Sequence, residues 1–371
     1  MDLLVRYSEI HKKKGKTRQQ LVQTLRQRIQ DRLNYDGTEF SKVSTGPGRI
    51  KVIDTEEQAK TVSQLPGVKS CSLTTRTDPT FESVKNSIDL DVGDSFGVRV
   101  KSRTQQSTQE WERKIGSFIQ EETGAEVDLD DPDTWVKIEL DEEAAYIYSN
   151  HTTFEGPGGL PAASQGGYAA LISGGIDSPV AAFQILKRGS DIFPVYFYNR
   201  PYAAEDHLIR FEQVLKELKK LHSGKKWSYA FCDLKEVNEA LSEVGKGRMV
   251  LHRRLMFEVA EKIREEKDLQ GIVTGESLAQ KSSQTPQNLF MTSKGLPVLS
   301  PLIGWNKNDI TQKARKMGTF QYSQIDSACQ NISPDSPSTE MTAEKFNKLK
   351  SKVGFDELVE SAFEQVEYRN V

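Results

Sequence analysis

The chain has 371 residues, of which 36% are hydrophobic and 28% are charged, and its formal net charge is −3. Because this length exceeds the size at which one core usually keeps growing, we expect two or three domains. No apolar run approaches the roughly 20 residues of a membrane-spanning helix, and the N-terminus MDLLVRYSEI lacks the pattern of a secretory signal. We therefore expect a cytoplasmic protein that does not enter a membrane.

Three cysteines, Cys71, Cys232 and Cys329, are spread along the chain without a CxxC pair. This spacing argues against a disulfide framework, a self-contained zinc site or an iron–sulfur cluster, so we predict no metal-ligating set. Cys71 and Cys232 lie in apolar, strand-like segments and are predicted to be core residues.

Charge is distributed unevenly along the chain. Residues 1–60 contain 13 Lys and Arg against 8 Asp and Glu, with a basic cluster from His11 to Arg18, whereas residues 121–150 contain 11 acidic residues and one lysine. The first segment could contact phosphates and the second would repel them. A short basic run is more often a solvated helix start, so the cluster is informative only beside other evidence.

The first 75 residues predict a small α/β unit. LLVRYSEI predicts a strand, and TRQQLVQTLRQRIQDRL predicts a helix with apolar residues at four-residue spacing. RIKVI and VKSCSLTTR predict further strands, separated by a helix at EEQAKTVSQL. This order predicts a ferredoxin-like domain over residues 1–75.

A second α/β unit is predicted over residues 76–154. Its helices are FESVKNSI and TQEWERKIGSFIQEET, and its strands are SFGVRVKSR, WVKIEL and AAYIYSNHTTFE. The segment EGPGGLPAASQGG, residues 155–167, is dense in Gly and Pro and has no apolar periodicity. It predicts a linker and the clearest domain boundary.

Residues 168–371 alternate apolar strands with helices. The segments in chain order are YAALIS, PVAAFQILKRG, DIFPVYFYN, HLIRFEQVLKELKKL, WSYAFCDL, LHRRLMFEVAEKIREE, GIVTGES and PVLSPL. This alternation predicts a doubly wound parallel sheet, whose ligands bind at the carboxyl ends of the strands.

A glycine-rich hexapeptide stands at the first of those strand ends, between the strand 168–172 and a helix that begins near Pro179. It reads Ser173, Gly174, Gly175, Ile176, Asp177, Ser178. Glycine amides, serine hydroxyls and a helix N-terminus together favour a polyphosphate, and the Asp177 carboxylate suits Mg²⁺ or orientation of a nucleotide. A lone Gly-Gly is usually a plain turn, but the whole hexapeptide at a strand–helix junction favours phosphate binding. The absence of a Walker A sequence argues against enzymes that cleave at the γ-phosphate.

The hexapeptide resembles the PP-loop of ATP pyrophosphatases, which release pyrophosphate and leave AMP on the substrate oxygen. GMP synthetase, NAD synthetase, tRNA-lysidine synthase and sulfur-transfer enzymes share this step, so the loop alone leaves the substrate open. Four motifs in order, GGLP, LISGGIDSPVAAFQILKRG, VTGESLAQKSSQT and LSPLIGWNKNDI, are similar to the tRNA 4-thiouridine synthetase family. That family begins with a ferredoxin-like unit and a THUMP RNA-binding domain, in agreement with the two N-terminal units.

The resemblance implies an ATP site that includes residues beyond the loop. These are Leu171, Ile172, Tyr196, Phe197, Arg253, Gly275 and Gln284. The strand ends at Leu171 and Ile172 can present backbone groups to adenine, while Tyr196 and Phe197 can stack on the base or, as readily, pack in the core.

The other implied residues offer charge, space and an amide. Arg253 can offset charge on the α-phosphate, although an arginine at such a position is as readily a solvated helix residue. Gly275 allows a close approach of backbone to ligand, and the Gln284 amide can both donate and accept.

The resemblance further implies an enzyme that uses Mg-ATP to adenylate O4 of uridine 8 in tRNA and then replaces that oxygen with sulfur. Asp177 and Cys329 are the catalytic candidates. Cys329 stands in the polar segment QIDSACQNIS, at the place of the family's PP-loop cysteine. A free cysteine is more often a small buried hydrophobe, but its setting favours a role in sulfur delivery.

Two departures from some relatives affect the sulfur supply. The sequence ends at Val371, about where some members begin a rhodanese-like domain, and it lacks their second cysteine near Cys329. We therefore expect an external donor: a persulfide carrier, a cysteine desulfurase or sulfide. The family also implies a homodimer, and the sequence leaves open an additional role in forming the thiazole of thiamine.

Two other functions are compatible with parts of the sequence. One is a different PP-loop enzyme, such as one making lysidine or GMP, although a glutaminase segment for an amidotransferase is absent. The other is a non-catalytic tRNA-binding protein, against which Ser173, Asp177 and Ser178 argue.

Overall fold

The computed structural model describes residues 1–223, 227–281, 283–324 and 338–371. The chain divides into two compact units, Met1–Pro161 and Ala162–Val371. Within the described ranges, no helix combines the length and apolarity needed to cross a membrane.

The first unit is built on a nine-stranded sheet. Its strands are β1 (Asp2–Tyr7), β2 (Lys42–Gly46), β3 (Arg49–Ile53), β4 (Val68–Thr77), β5 (Ser95–Ser102), β6 (Glu126–Val127), β7 (Thr134–Leu140), β8 (Ala145–Ser149) and β9 (Thr153–Glu155). Its helices are α1 (Gly15–Tyr35), α2 (Ala59–Ser63), α3 (Phe81–Lys85) and α4 (Thr108–Thr123), with a 3₁₀ turn at Glu9–Lys12. The strand order is β2-β3-β1-β4-β8-β7-β5-β6, and β9 pairs with β4.

Two hydrophobic cores lie within this unit. The face of α1 predicted from the four-residue spacing is confirmed, since Leu25, Ile29 and Leu33 are fully buried beside β1 and β3. A second core forms around Phe96 and Ile115, where α4 covers β5 and β7. The ferredoxin-like fold of the first part is confirmed, with β2 as a strand that the sequence pattern missed.

The prediction of one strand over AAYIYSNHTTFE is wrong. The chain turns at Asn150–Thr152, where the Ser149 amide donates to Thr152 Oγ1, and β8 and β9 then pair with different parts of β4. The expected linker is also well packed: Leu160 is 7% exposed in the N-terminal core, and Ala162 is 2% exposed in a core of the second unit.

The second unit is a doubly wound α/β domain, as predicted. Its strands are β10 (Gly167–Leu171), β11 (Asp191–Tyr198), β12 (Ser228–Asp233), β13 (Ile272–Val273), β14 (Val298–Leu299) and β15 (Glu367–Asn370). Its helices are α5 (Asp177–Lys187), α6 (Glu205–His222), α7 (Lys235–Leu241), α8 (Arg248–Glu266), α9 (Pro286–Ser293), α10 (Lys307–Lys316), α11 (Ala343–Lys352) and α12 (Phe355–Glu364), with 3₁₀ segments at Ser242–Gly247 and Phe320–Gln324.

The sheet order is β14-β13-β10-β11-β12-β15. The first five strands are parallel, and β15 pairs antiparallel with β12 at the edge, an addition that the sequence pattern did not predict. One face is covered by α5 and α6 and the other by α8, so alternate residues of β11 enter different cores. The loops at the carboxyl ends of the strands are left to form a site.

Candidate active site

The loop Ile172–Ile176 joins the carboxyl end of β10 to the N-terminus of α5 and is closed by contacts between Ser173 of the loop and Ser178 of α5. The Ser173 amide donates to Ser178 Oγ at 2.9 Å, the two hydroxyls lie 3.1 Å apart, and the Gly175 amide donates to Ser173 Oγ at 3.3 Å. Ile176, the N-cap residue of α5, makes no side-chain capping hydrogen bond within the part of the chain that the structure describes. The first amides of a helix and its dipole favour an anion at such an end.

Asp177, the first residue of α5, is held by two groups from distant parts of the chain. Lys307 Nζ lies 3.0 and 3.1 Å from its carboxylate oxygens, and Gln280 Nε2 donates to Oδ1 at 3.2 Å. The side chains of Asp177 and Lys307 are 26% and 47% exposed. A solvent-accessible lysine of α10 therefore lies beside the start of α5.

Sequence reasoning missed Lys307 and Gln280 as site residues. Both stand in motifs that carried the family resemblance, VTGESLAQKSSQT and LSPLIGWNKNDI. The usable signal was position: Lys307 begins α10, which follows β14, and the carboxyl ends of parallel strands meet at one edge.

Arg253, on α8, is tied into the structure by an acidic partner. Its Nε lies 2.5 Å from Glu276 Oε1 in an ion pair, and its Nη atoms donate to Ser283 O and Oγ at 3.3 and 3.4 Å. Burial raises the pKa of Glu276, and the Arg253 charge opposes this rise. Gln284 is 7% exposed, and its Oε1 accepts from the Lys281 amide at 3.0 Å. These contacts fix the segment that follows Glu276.

Gly275 brings the end of β13 against the start of α5. A Cβ at this position would lie 2.6 Å from Ser178 N and 2.7 Å from Ser178 Cα. Real Cβ contacts of that length do not occur, so glycine is required for this backbone approach. In this structure the Gly275 backbone makes that close approach to α5.

The predicted adenine-contacting residues lie at adjacent strand ends. Ile172 is 2% exposed and its amide donates to Val195 O at 2.9 Å, while Leu171 is half-buried. Tyr196 stacks on Phe211 with centroids 4.1 Å apart, and Phe197 is buried in the core on the opposite face. Both aromatic side chains are thus occupied in core packing, so a ligand at these strand ends would meet backbone groups other than the Ile172 amide.

The cysteines differ in what the structure describes. Cys71 and Cys232 are fully buried, which confirms their prediction as core residues. Burial raises the pKa of both thiols, that of Cys232 to about 12, and disfavours thiolates there. Cys329 lies outside the described residues. Over the described ranges, no group of three or more His, Cys, Asp and Glu is placed to hold a metal ion.

The first unit carries a basic face around one buried carboxylate. Glu139 accepts from Arg6 at 3.0 Å, from Arg49 at 3.1 Å and from the Tyr148 hydroxyl at 2.9 Å. Burial acts to raise the pKa of Glu139, but Arg49, Arg6 and the Tyr148 hydrogen bond outweigh it and lower the pKa to about 2. Two arginines against one carboxylate leave a positive excess.

A cleft of about 410 Å³ opens beside this carboxylate. Its lining includes Arg49, Lys101, Ser102, Arg103 and Thr108. The cluster from His11 to Lys16 is also exposed, at the start of α1. Cationic side chains with hydroxyl donors are the groups that contact nucleic-acid phosphates. Glu139 belongs to the acidic segment 121–150, so this part of the segment lies among cationic side chains.

Comparisons with known proteins cover nearly the whole chain. A family model described as ThiI, thiamine biosynthesis protein, matches residues 163–355, a THUMP domain model matches 80–150, and a ThiI ferredoxin-like domain model matches 2–72. The probable tRNA sulfurtransferases of Bacillus pumilus and Thermococcus kodakarensis are 31% and 32% identical, over 98% and 94% of this chain and 94% and 95% of theirs. A solved 4-thiouridine synthetase in an RNA complex with bound ATP is 28% identical, with a TM-score of 0.87 over 100% of this chain and 99% of that one.

Proposed function

The chain belongs to the tRNA sulfurtransferase (ThiI) family, and we propose that it uses ATP to convert a uridine of tRNA into 4-thiouridine. The observation that carries this proposal is the hexapeptide Ser173–Ser178 at the start of α5, together with the Asp177–Lys307 pair, at the carboxyl edge of the sheet.

The loop supports cleavage between the α- and β-phosphates of ATP. Its amides and the start of α5 bind the β- and γ-phosphates, and the two serine hydroxyls, already 3.1 Å apart, turn to donate to them. The uridine O4 then attacks the α-phosphorus, the bond to the β-phosphate oxygen breaks, pyrophosphate leaves, and the N3 proton of the uridine passes to solvent. Lys307 stabilises the charge that develops on that leaving group.

The described residues fit a Mg²⁺ ion that is bound partly by the protein and partly by ATP. Mg²⁺ is commonly bound by one or two carboxylates together with substrate phosphates, and Asp177 supplies such a carboxylate. Both of its oxygens contact Lys307 Nζ, so the lysine has to shift or share them. When bound, the ion would neutralise charge on the departing pyrophosphate.

Adenine recognition is proposed to use the backbone at Leu171, Ile172 and the end of β11, because Tyr196 and Phe197 pack in the cores. Arg253 is kept as a candidate for the α-phosphate. Its pairing with Glu276 lowers the net charge it brings and favours a role in holding Gln284 and its neighbours in place.

The tRNA is proposed to dock on the basic face of the first unit. The cleft with Lys101 and Arg103 and the exposed lysines before α1 supply phosphate contacts. Binding there offsets the few kcal/mol needed to extrude a base. The family resemblance also supports a homodimer, which light scattering at working concentration tests.

Sulfur is proposed to come from an external persulfide or sulfide. The donor sulfur attacks C4 of the adenylated uridine, and AMP leaves with the former O4. If a persulfide attacks, the resulting disulfide is cleaved by the Cys329 thiolate, which releases 4-thiouridine and leaves a mixed disulfide for a thiol reductant. A Cys329→Ala variant should retain activity with sulfide and lose it with a persulfide donor. Full activity with the persulfide would exclude this role.

The deciding experiment measures pyrophosphate release with Mg-ATP and unmodified tRNA, with and without sulfide, followed by nucleoside mass analysis. Pyrophosphate release together with a sulfur-for-oxygen mass change supports the proposal. Pyrophosphate without thiolation would favour another PP-loop enzyme. If neither product appears with tRNA that a known sulfurtransferase modifies, the chain is a binding protein.

A further inference from the structure

Arg210, on α6, is a buried cation that contacts the loop Ile172–Ile176 through a backbone carbonyl. It is 4% exposed, and its Nη2 donates to the carbonyl of Gly174 at 2.7 Å. The same guanidinium donates through Nε to Tyr322 O at 2.8 Å and through Nη2 to Ser323 O at 3.4 Å. Arg210 thus joins two segments that lie 36 and 112 residues away from it in sequence.

The contact with Gly174 determines where the next amide points. A trans peptide is planar, so its C=O and N–H point in opposite directions. With the Gly174 carbonyl held by Arg210, the Gly175 N–H is directed to the other side of the loop, where it meets Ser173 Oγ at 3.3 Å. That is the side on which the loop hydroxyls converge.

Arg210 and Gly174 are also fitted to each other in shape. A Cβ on residue 174 would lie 2.9 Å from the Cβ of Arg210. Glycine therefore lets α6 come close enough for the guanidinium to reach the loop carbonyl. A lysine could not serve both segments as well, because its single ammonium lacks the planar fork of arginine.

The contacts with Tyr322 and Ser323 extend this support to the 3₁₀ segment Phe320–Gln324. Movement of either segment would leave a buried guanidinium with an unmet donor, which is costly. The loop and the 3₁₀ segment therefore share one support.

We propose that Arg210 is a positioning residue for ATP, which orients the Gly174–Gly175 peptide toward the phosphates and couples the loop to the Phe320–Gln324 segment. This inference rests on the proposed function of the loop.

The test compares Arg210→Gln and Arg210→Lys with Arg264→Gln as a matched control. Arg264, on α8, also donates to a carbonyl, that of Leu269 at 2.9 Å, but does not contact the loop. We expect both Arg210 variants to raise KM for ATP, about tenfold or more for glutamine, while KM for tRNA stays unchanged. Hydrogen exchange supplies the second readout: ATP should protect residues 320–324 in the parent protein and the control, but not in Arg210→Gln.

An unchanged KM for ATP in both variants would overturn the inference, as would ATP protection of residues 320–324 that persists in Arg210→Gln. An equal rise of KM for ATP and tRNA would also overturn it, because that pattern indicates general destabilisation. If Arg210→Gln does not fold, Arg210→Lys decides by the same criteria. A parent protein that releases no pyrophosphate would instead refute the proposed function.

Discussion

Replacing Lys307 with methionine removes the charge beside the loop while keeping most of the side-chain volume. Because Lys307 is 47% exposed and Asp177 26%, their ion pair contributes only about 0–1 kcal/mol to folding. The thermal midpoint should therefore change little. The loss of one charged group aimed at a developing negative charge typically lowers kcat about 100- to 1000-fold. We expect a fall of that size in kcat for tRNA-dependent pyrophosphate release.

The matched control is Lys235→Met. Lys235 begins α7 as Lys307 begins α10, is 55% exposed, and approaches Glu239 only to 3.9 Å. It should retain parental kcat and melting temperature. An unchanged kcat in Lys307→Met would refute the role of the lysine in the reaction, and a large loss of thermal stability would show that the ion pair serves folding instead.

Three further predictions concern packing and pH. Gly275→Ala places a Cβ 2.6 Å from a backbone nitrogen and should lower the free energy of unfolding in urea by about 1–3 kcal/mol. Gly304→Ala should be neutral, because no atom of the described residues lies within 4 Å of the new Cβ. The pKa of Glu139 is lowered to about 2 from its usual 4.5, so its contribution to stability is present above pH 4.5 and is lost as pH falls toward 2; Glu139→Gln should flatten this dependence, and an identical pH profile would contradict the ion-pair account. Burial, reinforced by two nearby arginines, lowers the pKa of His252 to about 4 from 6.5, so the folded state keeps it neutral and loses stability as pH falls from 6.5 toward 4. His252→Gln should remove that loss in urea titrations between pH 4 and 7, and a parental slope in the variant would contradict it.

Elements with strong periodicity were predictable from sequence alone. The helix at residues 108–123 and the strand at residues 49–53 have the predicted bounds, because their apolar residues repeat at the spacing of their structure. Strands β2 and β15 escaped prediction because KVSTG buries one apolar side chain and EYRN buries none. Such edge strands are defined by pairing with a neighbour, which a local pattern does not contain.

The residues of the site were likewise predictable only in part. The phosphate loop was predictable because its glycines, serines and helix start are contiguous in sequence. Lys307 and Arg210 were not, because their contacts span 130 and 36 residues and depend on how α10 and α6 approach the loop. For Tyr196 and Phe197, alternation along β11 sends the two side chains into different cores, and only the arrangement of helices on both faces reveals this.

Strand β4 has a consequence for synthesis of the chain on the ribosome. Its first half pairs with β1 and also with β9, whereas its last residues, Thr75–Thr77, pair with β8. The ferredoxin-like part, matched over residues 2–72, is thus completed by Thr153–Glu155, which are made only after the THUMP part at 80–150. In a nascent chain that has reached residue 75, the edge of β4 that pairs with β9 is still unpaired. The ferredoxin-like and THUMP parts should therefore complete their folding together, in one cooperative step.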